Sequence, residues 1–196
     1  MLTLILGGAR SGKSALAERL AAASGRPVLF VATLEPGDDE MRARIAAHRA
    51  ARPATWRTVE EPLAVVEALR TQARAGDFVV LDCVTLWVSN MLLAGGDAGR
   101  DAPDDEAVAA AIARAGEFVD WAAAFDGEVA AVSNEVGMGL VPPYPLGRAF
   151  RDALGPANRV IAARAAHVHY LVAGLALELK SLGAVPIDAP GERPDR

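Results

Sequence analysis

Gly7-Gly8-Ala9-Arg10-Ser11-Gly12-Lys13-Ser14 follows the apolar run Leu2-Thr3-Leu4-Ile5-Leu6 and leads into Ala15-Leu16-Ala17-Glu18-Arg19-Leu20. A buried strand, a glycine-rich turn and a helix start in that order form the context in which G-x-x-x-x-G-K-[ST] reads as a P-loop. Phosphate oxygens must approach a concave row of backbone N–H groups. Gly7, Gly8 and Gly12 therefore stand where a side chain would block the approach or where φ turns positive. The helix that follows aims its positive end at the anion, Lys13 reaches the β- and γ-phosphates, and the Ser14 hydroxyl is offered to Mg²⁺. A merely structural glycine turn would account for the glycines. It would not account for the lysine and serine at their required places, so binding of a nucleoside triphosphate (ATP or GTP) is the firmest expectation.

The 196 residues suit one domain with a sizeable core; we read 1–182 as a single P-loop nucleotide-binding catalytic domain and 183–196, with its three prolines, as a mobile tail. Apolar residues make up 52% and charged ones 23%, with no apolar run near the roughly 20 residues of a membrane span. No secretion signal precedes the P-loop, and Cys83 is a single cysteine without an internal partner, so a cytoplasmic location is expected. A net charge of −5 and the lack of a basic run disfavour nucleic acid.

Along the chain, Val28–Ala32 reads as a second strand, forming a right-handed β-α-β unit with the first strand and helix. Thr33 then stands at a carboxyl end, the edge where open α/β sheets bind ligands. Asp38-Asp39-Glu40 resembles a cap and an acidic first turn for a helix from about Asp39 to Ala50. On it Met41, Arg44, Ile45 and His48 share one face. His48 is either an imidazole favouring the helix's negative end or, among Arg49 and Arg52, a nucleophile on phosphorus. Thr55–Glu61 resembles a short strand and Pro62 the start of an amphipathic helix. Phe78-Val79-Val80-Leu81-Asp82 is an apolar strand ending in a carboxylate, the Walker B form, delivering Asp82 to Mg²⁺ from the strand next to the P-loop strand.

A helical stretch begun by Leu86, Asn90 and Leu93 stops at Gly95-Gly96, where a flexible loop over 95–105 starts, and a second helix from Asp105 to Phe125 turns Val108, Ile112, Ala115, Phe118 and Val119 inward. Glu128–Ser133 is a strand running into Asn134-Glu135, which either bind substrate or cap a turn. A helix from Pro145 to Ala165 is expected to be interrupted at Gly155-Pro156. His167 to Ala173 alternates as a strand with His167 and His169 on one face, and Leu175 to Leu179 adds a last strand; two histidines with no third ligand nearby do not make a zinc site.

These motifs together resemble the bifunctional adenosylcobinamide kinase / adenosylcobinamide-phosphate guanylyltransferase family of cobalamin biosynthesis. The resemblance covers nearly the whole chain. It rests on the P-loop, on Ala32-Thr33 followed by Asp39-Glu40-Met41, Arg44-Ile45 and His48, on Arg52-Pro53 and Trp56-Arg57-Thr58, and on Asn134-Glu135-Val136-Gly137-Met138-Gly139. It implies an α/β, RecA-like P-loop NTPase fold: a mostly parallel sheet flanked by helices on both faces. It implies phosphorylation of the aminopropanol hydroxyl of adenosylcobinamide by ATP or GTP. GMP transfer from GTP to that phosphate follows, through a guanylyl-histidine at His48, giving adenosyl-GDP-cobinamide and pyrophosphate. It further implies nucleotide contacts from Gly7 to Ser14, from Ala32, Thr33 and Leu34, from Arg49, Ala50, Ala51 and Arg52, from Glu60 and from Asp82, and a homotrimer. A single-function P-loop kinase of small molecules and a RecA-type nucleotide-dependent switch are the alternative readings.

Overall fold

In the computed structural model, which describes residues 1–35, 52–94 and 103–187, seven strands form one sheet in the order β3-β2-β4-β5-β1-β6-β7. The elements in chain order are β1 (Leu2–Gly7), α1 (Lys13–Ala23), β2 (Val28–Ala32), β3 (Arg57–Glu60), α2 (Val65–Gln72), β4 (Phe78–Asp82) and α3 (Val84–Ala94). After them come α4 (Asp105–Ala124), β5 (Glu128–Asn134), α5 (Pro145–Arg164), β6 (His167–Val172) and β7 (Leu175–Glu178). Six strands are parallel, and only β7 runs antiparallel, against β6. The helix expected over 39–50, with His48, Arg49, Ala50 and Ala51, lies outside the described residues, as do most of the loop expected at 95–105 and residues 188–196.

The central strands are near-continuous apolar runs because both faces of a parallel sheet are covered. Leu4, Leu29, Val31, Val79, Leu81, Val129 and Ala131 point to one face, against α2, α3, α4 and α5. The alternate residues Ile5, Phe30, Val80, Ala130 and Val132 point to the other, against Ala17 and Ala21 of α1. Trp87 is fully buried, with Phe118 edge-on at 6.2 Å between ring centroids. Its indole N–H donates to the Leu63 carbonyl at 2.9 Å, which fixes α3 to the entry of α2.

Several sequence expectations are corrected. β4 is not the strand beside β1: β5 lies between them, so the Asp82 carboxylate arrives from two strands away. β2 is three places from β1, so the connection through α1 passes over β5 and β4. The helix after Pro62 begins only at Val65, because the Glu61 carboxylate accepts from the N–H groups of Leu63 (2.9 Å) and Ala64 (2.7 Å) and holds an extra turn ahead of it. Finally α5 runs unbroken through Pro156. A proline inside a helix removes one hydrogen bond, yet Ala153, Leu154, Ala157 and Ile161 around it are fully buried, and their packing carries the helix across. The inner face of α4 is also turned from expectation: Ala111 and Ala122 are buried beside Ala115, Phe118 and Val119, while Ile112 is half-buried. Asp104 caps α4 through the Ala107 N–H at 3.0 Å. β6 and β7 are joined by Ala173 and Gly174, with φ of 51° and 81°, the consecutive positive values a tight hairpin turn demands.

Candidate functional site

The loop after β1 is shaped by two of its glycines. Gly7 has φ of 155°, and a Cβ there would lie 2.5 Å from the Leu171 carbonyl oxygen and 2.8 Å from Ser11 Oγ. Gly12 caps α1 in the left-handed region at φ 99°, and Arg10 is left-handed too at φ 56°. Gly8 meets neither condition: its φ is not left-handed and nothing stands within 4 Å of its Cβ position. The protein itself therefore gives no reason for glycine there. Residues 8–10 are exposed, whereas Ser11 is buried and its Oγ has no hydrogen-bond partner among the described residues.

Lys13 is the first residue of α1 and is 7% exposed, its ammonium donating to the Gly8 carbonyl at 2.7 Å. Burial pushes its pKa below the ordinary lysine value, opposed by electrostatic interaction with Cys83 and Asp82. A lysine folded back onto its own loop, losing hydration, is poised to trade a carbonyl for phosphate oxygens. Asp82 ends β4, in register with Ala32 on β2, which is in register with Glu60 on β3. The P-loop, Ala32, Thr33, Glu60 and Asp82 thus all reach the carboxyl edge of the sheet, and Leu34 follows half-buried.

Thr33 is fully buried. Its hydroxyl donates to the Cys83 carbonyl at 2.7 Å and accepts from the Cys83 N–H at 2.8 Å, and its own N–H donates to the Asp82 carbonyl at 3.1 Å. Asn90 of α3 completes the clamp, its side-chain amide donating to the carbonyls of Thr33 (2.8 Å) and Pro62 (3.1 Å). With its hydroxyl engaged on both sides, Thr33 fixes the backbone that carries Asp82. Sequence reasoning placed Thr33 at the edge but had no signal for Asn90, whose reach depends on how α3 packs. Burial raises the Cys83 thiol pKa, reinforced by the Asp82 charge.

At the end of β5, between β4 and β1, the Asn134 N–H donates to the Thr85 hydroxyl at 2.7 Å, and the Asn158 amide donates to the Asn134 carbonyl at 3.0 Å. The Glu135 N–H donates to the Gly7 carbonyl at 3.1 Å. Its carboxylate accepts from the N–H groups of Gly137 (2.8 Å) and Met138 (3.2 Å), so Glu135 caps the turn. Arg52 is set apart from this edge, with its guanidinium 3.4 Å above the Phe30 ring and 3.9 Å from the Glu18 carboxylate of α1. His167 and His169 stack at 6.5 Å, and no group of three metal-ligating side chains occurs among the described residues. Nor, among them, is any helix long and apolar enough to cross a membrane.

The Ser14 hydroxyl at the helix start and the Asp82 carboxylate are both oxygen donors, the chemistry that Mg²⁺ takes. Asp82 is near enough to bear on the charge of Lys13. These residues fit the ion.

The fold is that of the RecA-like P-loop NTPases. The chain superposes on a prototypical ATPase from the type III secretion system of pathogenic bacteria with a TM-score of 0.54 at 12% identity, covering 94% of this chain and 58% of that one. In sequence it is 48% identical over 180 residues to the bifunctional adenosylcobalamin biosynthesis protein CobP of Pseudomonas aeruginosa, covering 92% of this chain and 98% of the relative. It is 42% identical over 182 residues to the bifunctional adenosylcobalamin biosynthesis protein CobU of Escherichia coli, covering 92% of this chain and all of the relative (100%). The pattern described as cobinamide kinase / cobinamide phosphate guanyltransferase matches residues 3–179. With a match from the P-loop strand to the last strand, the chain belongs to the cobinamide kinase / cobinamide phosphate guanyltransferase family.

Proposed function

We propose that this enzyme phosphorylates the aminopropanol hydroxyl of adenosylcobinamide with ATP or GTP. It then transfers GMP from GTP to the new phosphate through His48, giving adenosyl-GDP-cobinamide and pyrophosphate. The observation that carries the reading is the family match over residues 3–179 joined to a complete P-loop whose buried lysine lies under the influence of Asp82.

For the kinase step the chain positions and neutralises more than it reacts. The N–H groups of the loop from Gly8 to Ser14 and the start of α1 hold the phosphates. Lys13 leaves the Gly8 carbonyl for the β- and γ-oxygens. Ser14 and Asp82 would hold Mg²⁺, which when bound neutralises charge developing on the transferred phosphoryl group. Thr33 and Asn90 keep the Asp82 backbone in place.

For the second step, a neutral His48 imidazole attacks the α-phosphorus of GTP, forming a P–N bond as the P–O bond to pyrophosphate breaks. An oxygen of the corrinoid phosphate then attacks the same phosphorus, the P–N bond breaks, and the imidazole is regenerated. Arg49 and Arg52 follow His48 closely in the chain. Four residues, at most about 14 Å of extended chain, join His48 to the Arg52 site against Phe30 and α1, which supports imidazole and P-loop serving one nucleotide. The family resemblance supports a cytoplasmic homotrimer.

Incubation with α-labelled GTP and Mg²⁺ tests the mechanism. Acid-labile label on the protein, lost in His48→Ala, is expected. Phosphorylation of adenosylcobinamide with no protein-bound label would instead mark a single-function kinase.

A further inference from the structure

Beside the P-loop, the connection between β5 and α5 presents apolar side chains to solvent. Met138 is 81% exposed, Leu140 97%, Val141 70% and Tyr144 58%. Surface loops ordinarily run polar, and this one is built to hold its shape without turning those side chains inward. Besides the two N–H groups capped by Glu135, Arg151 donates to the carbonyls of Gly137 and Leu140, both at 3.1 Å. Arg148 donates to those of Pro142 (3.2 Å) and Pro143 (3.0 Å). Two N–H groups and four carbonyls of the loop are thus held from its own flanks, and its apolar side chains are left for something else.

A cavity of about 420 Å³ opens next to it, lined by Val136, Val141, Asp152 and Asn158 among others. Asn158 spends its N–H on Asn134 and leaves its buried Oδ1 without a hydrogen-bond partner. A buried acceptor of this kind costs free energy unless a donor arrives. The location narrows what arrives. Glu135 is bonded to Gly7 of the P-loop, and the Tyr170 hydroxyl of β6 donates to Met138 Sδ at 3.1 Å, so the loop lies over the ends of β5, β1 and β6. A substrate whose hydroxyl must reach the terminal phosphate on the P-loop has to rest its bulk on an adjoining surface.

We propose that residues 137–144 and the adjacent cavity bind the corrin macrocycle: Met138, Leu140 and Val141 cover its apolar ring face, and Asn158 Oδ1 accepts from a peripheral carboxamide. This assignment rests on the substrate proposed above. A macrocycle with apolar faces and a rim of amides matches an exposed apolar loop beside an unsatisfied acceptor, which a phosphate oxygen, having no proton to donate, would leave unsatisfied.

The test is equilibrium dialysis of cobinamide, followed by its own absorbance, against the 196-residue protein and the L140S/V141S double variant. A fluorescent GTP analogue and light scattering are read on the same samples. Both residues are solvent-exposed, so the variant folds. Cobinamide affinity is expected to fall at least about tenfold, with GTP-analogue affinity and assembly mass unchanged. Unchanged cobinamide affinity in the double variant overturns the assignment, as does absence of cobinamide binding by the wild type. A fall in assembly mass also overturns it, by making the loop a contact between copies of the chain. A wild type that binds cobinamide in a manner sensitive to L140S/V141S but never phosphorylates it removes the proposed activity and leaves the binding surface standing.

Discussion

Replacing Thr33 by valine keeps the shape of the side chain and deletes the hydroxyl that brackets the Cys83 peptide. Two hydrogen bonds disappear, at 2.7 and 2.8 Å, but their losses are unequal. The Cys83 carbonyl retains the Trp87 N–H at 3.1 Å, so its share is at most about 1 kcal/mol. The Cys83 N–H gains a methyl where its acceptor stood, in a spot where Thr33 is 0% exposed and water has no access. A buried unsatisfied donor costs about 1–3 kcal/mol, so the sum is about 1–4 kcal/mol. For a chain of 196 residues this lowers Tm by roughly 2–16 °C. Thr33→Ser, which keeps the oxygen, should recover more than half of the loss. Urea denaturation followed by circular dichroism measures both variants, and kinase assays on the folded fraction should place the larger loss in kcat for Thr33→Val, since Asp82 sits on the loosened backbone. A valine variant within about 0.5 kcal/mol of wild type, or a serine variant as damaged as the valine one, would refute the clamp.

Two further outcomes follow from the same geometry. Gly7→Ala should destabilise by about 2–4 kcal/mol, because its Cβ meets a backbone oxygen at 2.5 Å that cannot step aside, whereas Gly8→Ala should lie within about 0.5 kcal/mol of wild type; equal denaturation midpoints for the two would contradict the packing described. Glu178 has its pKa lowered to about 2 by hydrogen bonds from Ser181 and the Val168 N–H. Its contribution is present above the ordinary carboxylate pKa and fades as pH falls from about 4.5 towards 2, so the Tm gap between wild type and Glu178→Gln should be open at pH 7 and closed near pH 2. A gap that widens on acidification would reverse the assignment.

The chemistry of the P-loop was legible from eight consecutive residues, since a phosphate cradle needs glycine, lysine and serine at fixed spacing along one turn. The strands were legible for a similar reason: a parallel sheet covered on both sides requires short unbroken apolar runs, and Val28–Ala32, Phe78–Asp82 and Glu128–Asn134 are such runs. Each ended where a polar residue met the carboxyl edge, so Thr33, Asp82 and Asn134 were found by position. What those residues do was not legible. Pairing of strands separated by 50 residues leaves no local trace, so the insertion of β5 between the P-loop strand and the Asp82 strand came only from the assembled sheet. Thr33 was expected to face a nucleotide, yet packing brought the Cys83 peptide to its hydroxyl first. Pro156 reads as a helix break in sequence because its ring costs a hydrogen bond, and burial of the four side chains around it outweighs that cost. Residue types and spacing along the chain thus determined which chemistry is present, whereas the tertiary structure decided which groups remain free to perform it, because hydrogen-bonding capacity is used up by whichever partner packs closest.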